Sequence, residues 1–145
     1  MYGPRQPYEA AYMDVIMHFL NRIEAGEPPV VRGDGSATLD LVYVGDVARA
    51  NIMAMKSSVT NEFLNVASGT EVTLKQLARL LIRMSGREGE LEPVFEPMDA
   101  GLVTRRWGDP GRARELLGFC TATPLEEGMR RVIAWREETR TARGS

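Results

Sequence analysis

The helical segments of this chain carry their own start and stop signals, and the apolar runs between them are short and few. A first segment from about Glu9 to Ala25 places Met13, Ile16, Leu20 and Ile23 on one face, and Gly26 with Pro28-Pro29 ends it. Thr73 and Gln76 form a capping-box pattern ahead of Leu74, Leu77, Leu81 and Met84. Asp109-Pro110 opens a short helix that Gly118 closes. Thr123-Pro124 with Glu126 opens a last one carrying Leu125, Met129, Val132 and Ile133. The strand candidates are Val30-Val31, "LDLVYV", "EFLNVA" and "EPVFEPM", the last an edge strand because its prolines cannot donate to a ladder. Asp46 is expected to cap an alanine-rich helix from Val47 to about Met55. The expectation is one mixed α/β unit over 1–145, with too few strands for a doubly wound sheet and a charged tail that frays from about 137.

A chain of 145 residues supports one core and is too short for two. The net charge of −2 gives no footprint for nucleic acid or anionic lipid, and no apolar run approaches a membrane span. Of the eighteen basic residues only Lys56 and Lys75 are lysine, a skew that GC-rich coding produces. Cys120 is the only cysteine, so no intramolecular disulfide forms, which suits a cytoplasmic protein. Its expected place is a buried apolar position, and the only histidine, His18, falls in a helical segment as a structural residue.

Catalytic chemistry is hard to find in these residues. Gly33-Asp34-Gly35 is the one candidate phosphate loop, but a dinucleotide fingerprint needs a third glycine where Thr38 stands, and a helix rather than a strand beyond it. Asp40 and Asp46 are a conceivable carboxylate pair, yet Asp46 is better used as a cap. A tyrosine activated by a lysine four residues on is excluded, since the residues four beyond the tyrosines are Gln6, Tyr12, Ile16 and Val47. No metal-ligand cluster is evident, and no catalytic residue is assigned.

Several motifs in order nonetheless carry a resemblance. "YGPRQ", a helix, "GEPPVVRGDGSATLDLVYVGDVARAN", then "GDPGRARELLGF" and "TPLEEGMRRVIAW" resemble the C-terminal, substrate-binding part of extended short-chain dehydrogenase/reductases, the NAD-dependent sugar-nucleotide epimerase/dehydratase family. The resemblance runs from Tyr2 to about Trp135. It implies a small mixed α/β domain lacking most of the N-terminal Rossmann domain, which in the family holds NAD and the Tyr-x-x-x-Lys pair. By that resemblance the chain is the substrate-binding part of a UDP-glucose 4-epimerase-like enzyme and is not catalytic alone. Neither NAD nor NADH is expected to bind it alone. The alternative is a truncated interaction module, or the second piece of a split enzyme. The family commonly has valine where Met1 stands, and a GTG valine codon taken as a start, a truncated gene or a deliberate cut would each account for the opening.

The resemblance also implies site residues. Family members grip a nucleotide-sugar diphosphate with two arginines, because a guanidinium donates two parallel hydrogen bonds to phosphate oxygens. Those positions fall on Leu39 and Asp99 here, so both guanidinium groups are replaced. Arg32 stands where an aromatic residue often flanks the base, and Arg105 and Arg106 are possible compensating cations. Arg5 and Gln6 lie in the turn facing the cleft, and Tyr43 matches a position of Tyr or His. The implied partners are a nucleotide-sugar and the missing Rossmann half; without that half, self-association through the first helix and Leu39–Val44 is expected.

Overall fold

A computed structural model describes residues 1–6, 14–98, 101 and 103–143. In chain order its elements are α1 (Val15–Glu24), β1 (Val30–Arg32), β2 (Thr38–Leu39), α2 (Val44–Lys56), β3 (Val72–Thr73), α3 (Leu74–Met84), β4 (Val94–Glu96), β5 (Arg105–Arg106), α4 (Gly111–Leu117) and α5 (Leu125–Arg143). The fold class is mixed α/β, as the sequence suggests. The residues group into two compact units: a terminal unit of Met1–Pro4, Asp40–Glu71 and Arg106–Ser145, and an inserted unit of Arg5–Leu39 and Val72–Arg105.

The inserted unit follows the sequence pattern closely. Helix α1 starts later than expected: Asp14 is its N-cap, accepting from the Met17 N–H at 3.0 Å, and the stretch from Glu9 to Met13 lies outside the described residues. Its apolar face buries Ile16, Met17, Phe19, Leu20 and Ile23, each side chain contributing about 1.5–3 kcal/mol by leaving water. Beyond the helix Gly26 takes a left-handed conformation, and the Glu27 N–H reaches back to the Arg22 carbonyl. Helix α3 carries the full capping box, with the Gln76 N–H donating to Thr73 Oγ1 and the Thr73 N–H to Gln76 Oε1. It buries Leu77, Ala78, Leu80, Leu81 and Ile82, and packs against α1. Strand β1 pairs in parallel with β4, placing Val31 beside Phe95 and Arg32 beside Glu96. Strand β2 pairs antiparallel with β3, Thr38 opposite Thr73 and Leu39 opposite Val72.

The terminal unit departs from the pattern. The run Leu39–Val44 is not one strand: β2 ends at Leu39, Tyr43 makes a single parallel bridge to Tyr2, and Val44 already begins α2. "EFLNVA" forms no ladder among the described residues. Its alternation is nevertheless strand-like, since Leu64 and Val66 pack on a cluster of Ala50, Ala113 and Phe119 while Phe63 is 98% exposed. The side chains satisfy period two, but no neighbouring backbone completes a sheet.

Asp46 does not cap α2; it lies in that helix's first turn. It is buried, and its carboxylate accepts from the Ala122 N–H at 3.1 Å, the Thr123 N–H at 3.0 Å and Arg49 at 3.0 Å, so it secures the approach to α5. Helix α4 starts one residue later than expected, at Gly111, whose N–H donates to Asp109. Helix α5 continues through Arg143, past the point near 137 where fraying is expected, with Thr139 and Thr141 hydroxyls bonding carbonyls four residues back.

Cys120 is exposed, which corrects its expected burial: Phe119 fills the core position beside it. The expected exposed faces are corrected too. The α1 side chains Ile16, Met17, Phe19, Leu20 and Ile23 are buried, as is Val42, while Val44 is exposed as expected; further exposed apolar residues include Ile52 and Met55 on α2 and Phe63 beyond it. No helix among the described residues is long and apolar enough to cross a membrane.

Candidate functional site

Within the terminal unit a depression of about 520 Å³ opens beside the start of α4. Asp40, Asn65, Ala67, Arg106, Trp107 and Gly108 are among its lining residues. Asp40 is fixed by three donors, the Ser68 N–H at 2.9 Å, Ser68 Oγ at 2.6 Å and the Gly69 N–H at 2.9 Å, so its carboxylate is committed to holding a turn. The Asp40 N–H donates to the Arg106 carbonyl at 2.8 Å, which brings β5 alongside this wall. Gly108 permits the close approach: a Cβ there would lie 2.7 Å from the Ala67 methyl.

Tyr2 supports the unit from beneath. Its N–H donates to the Val42 carbonyl at 2.9 Å, its carbonyl accepts from the Val44 N–H at 2.8 Å, and its hydroxyl donates to the Leu125 carbonyl at 3.3 Å. A Cβ on Gly128 would fall 2.1 Å from that hydroxyl, so the glycine in α5 makes room for the phenol. Burial, reinforced by the neighbouring Tyr43 and Asp46, pushes the Tyr2 hydroxyl up to about 12. Such a phenol stays protonated at neutral pH and is unsuited to act as a general base. Asp46 moves the other way. Burial raises it, but hydrogen bonds from Thr123, Arg49 and Ala122 outweigh burial and hold it below the usual carboxylate range.

Asp40 and Asp46 therefore each serve structure with a separate set of donors. The residues implied by the resemblance divide between the two units. Arg5, at a positive φ of 69°, Gln6, Arg32 and Leu39 belong to the inserted unit, and Tyr43 to the terminal one. Gln6 donates to the Asp14 carboxylate, and Arg32 pairs with Glu96 at 3.4 Å. Leu39 is half-buried in its β2 pairing, and Tyr43 stacks under the Arg131 guanidinium at 5.3 Å. Asp99 lies outside the described residues. Trp107 and Asn65 escaped sequence reasoning; the available signal was a tryptophan, one of two in the chain, immediately before Gly108-Asp109-Pro110.

The turn holding Gly33 and Gly35 does not fit a dinucleotide fingerprint. Gly33 and Gly35 sit at positive φ in a turn between β1 and β2, where Asp34 accepts from the Ser36 N–H and hydroxyl. A Cβ on Gly35 would stand 2.8 Å from the Phe95 ring and 2.9 Å from the Lys75 Cβ, so this glycine serves packing. No group of three His, Cys, Asp or Glu suited to a metal ion occurs among the described residues.

The fold is that of the SDR-type epimerases. The chain superposes on the UDP-glucose 4-epimerase of Thermotoga maritima, solved with UDP-glucose, with a TM-score of 0.86 and 36% identity, over 95% of this chain and 43% of that one. It is similar to the UDP-N-acetylglucosamine 4-epimerase of Methanobrevibacter ruminantium, solved with UDP-N-acetylmuramic acid, at a TM-score of 0.85 and 27% identity, covering 95% and 44% of the two chains. The UDP-glucose 4-epimerase of Mycolicibacterium smegmatis is 34% identical over 134 residues, 92% of this chain and 42% of that protein. The NAD dependent epimerase/dehydratase family description matches residues 1–67. That match takes in a little under half of the chain, and the chain, similar to these epimerases in sequence and fold, spans little more than two fifths of their length.

Proposed function

We propose that this chain is the substrate-binding part of an NAD-dependent nucleotide-sugar epimerase or dehydratase of the UDP-glucose 4-epimerase type. The observation carrying this reading is the open depression of Asp40, Asn65, Arg106 and Trp107, set in a chain whose glycine turn does not fit a dinucleotide. Relatives solved with UDP-glucose and UDP-N-acetylmuramic acid support a nucleotide-sugar as the ligand class. In the complete enzyme NAD supplies hydride transfer. The part played by these residues is to bind and orient the sugar, which converts an encounter into a positioned reaction. Arg5, Gln6, Arg32, Leu39, Tyr43 and Asp99 are proposed to flank the ligand.

The exposed apolar residues Ile52, Met55 and Phe63 support a partner, and the nucleotide-binding half of the enzyme is the one proposed. Calorimetric titration of the 145-residue chain with UDP-glucose and with NAD tests the reading. Binding of UDP-glucose without NAD is the expected result. A full equivalent of bound NAD, or epimerase turnover by this chain alone, overturns it.

A further inference from the structure

The strand-like run at 63–67 is fixed at both ends and idle in between. Ahead of it Glu62 accepts from Arg112 Nε–H at 3.0 Å, and behind it the Ser68 N–H donates to Asp40 at 2.9 Å. Leu64 and Val66 hold it down on Ala50, Ala113 and Phe119. Between these anchors no backbone N–H or C=O of residues 63–67 makes a hydrogen bond among the described residues, whereas β1 to β5 all lie in ladders. Leu64, Asn65, Val66 and Ala67 line the open depression, so this idle backbone is reachable from outside. Monomeric proteins guard such an edge with a charge, a proline or a bulge. The run "FLNVA" has neither charge nor proline, and Phe63 at its start is 98% exposed.

We propose that residues 63–67 pair antiparallel with the same residues of a second copy, about a two-fold axis through Asn65. The run is self-complementary in that register. Asn65 meets the partner's Asn65, Leu64 meets the partner's Val66, and Phe63 meets the partner's Ala67, so large side chains lie beside smaller ones and no like charges meet. A two-fold normal to the new sheet keeps Leu64 and Val66 of each copy over its own core. The contact is small: Phe63 offers roughly 200 Å², and the patch stays well below the ~800 Å² per partner of a standard interface. The dimer is therefore weak, with an expected Kd of about 10–100 µM. This association goes beyond the nucleotide-sugar reading and does not depend on it; the nucleotide-binding half proposed above is the competing occupant of the edge.

Sedimentation velocity and amide hydrogen exchange of the 145-residue chain, from about 2 to about 500 µM, test the pairing. A monomer–dimer equilibrium is expected, in which the amides of 63–67 gain protection as concentration rises. Asn65 is exposed, so Asn65→Lys and Asn65→Asp are expected to fold, which retained NMR dispersion checks. Either variant alone sets like charges opposite one another and should raise the Kd at least about fivefold, and mixing the two should restore a heterodimer. Met55→Lys, on the exposed side of α2, should leave the equilibrium unchanged. A chain that stays monomeric to about 500 µM overturns the proposal and leaves the edge to the nucleotide-binding half. Dimerisation that Met55→Lys abolishes, or that each Asn65 variant retains unmixed, overturns it too, as do larger aggregates without protection at 63–67. None of these outcomes touches UDP-glucose binding, which the calorimetric titration reads separately.

Discussion

The inserted unit and the terminal unit are held together in different ways. In the inserted unit the elements meet through repeating patterns: two amphipathic helices, a capping box and two short ladders. In the terminal unit single side chains grip backbone far away in sequence. Asp40 holds Ser68 and Gly69, Asp46 holds Ala122 and Thr123, and Tyr2 holds Leu125. Stability spread over a pattern degrades gradually, whereas stability concentrated in one carboxylate is lost with that residue. Substitutions in the two units therefore separate the two cases.

The largest effect is expected in the inserted unit. Leu81 is fully buried on α3, and Leu81→Ala removes contacts and leaves a cavity costing about 2–5 kcal/mol. Hydrogen exchange should accelerate most at the amides of α1 and α3. A loss below about 1 kcal/mol would mean that this core collapses around the vacancy. Asp46→Ala in the terminal unit comes next, at about 1–3 kcal/mol, because two backbone N–H groups lose their buried acceptor. Exchange should then rise at 120–125, and α3 amides should be unaffected.

The acid and alkaline limits of the terminal unit follow from its two shifted groups. Asp46 has a folded pKa below its ordinary 3.8, so its contribution is complete above that value and is lost as pH falls through the folded one. Tyr2 has a folded pKa raised from 10.0 to about 12, so its contribution is complete below pH 10 and is lost as pH rises towards 12. Tyr2→Phe should remove the alkaline decline between these limits, as followed by urea unfolding at stepped pH. A decline of the same slope in the variant would place its origin in another group.

This contrast also explains what the sequence revealed. The α3 capping box, the α1 apolar face and the edge strand at Val94–Glu96 were legible because their determinants lie within a few residues of one another. Leu39–Val44 and "EFLNVA" have the apolar alternation of strands, yet a strand also needs a partner backbone, which composition cannot supply. Asp46 was legible as a helix-start residue, but its acceptors are engaged more than seventy residues away. The depression was the least legible feature. Asp40, Asn65 and Arg106 come from three separate segments, and none of them stands in a motif that names a pocket.

Arg32 supplies the smallest expected effect and the finest test of the comparison. It stands on β1 opposite Glu96 on β4, with 58% and 44% of the two side chains exposed. Water and salt screen such a pair, so Arg32→Ala should change stability by only about 0–1 kcal/mol, with the difference vanishing at high ionic strength. The ladder beneath it, Val31 beside Phe95, remains intact and carries the pairing. A salt-independent loss of several kcal/mol would show that a lone charge pair governs this unit as well, and the distinction between patterned and anchored stability would fail. If stability is unchanged while UDP-glucose affinity falls, Arg32 acts on the ligand, as its position in the resemblance implies.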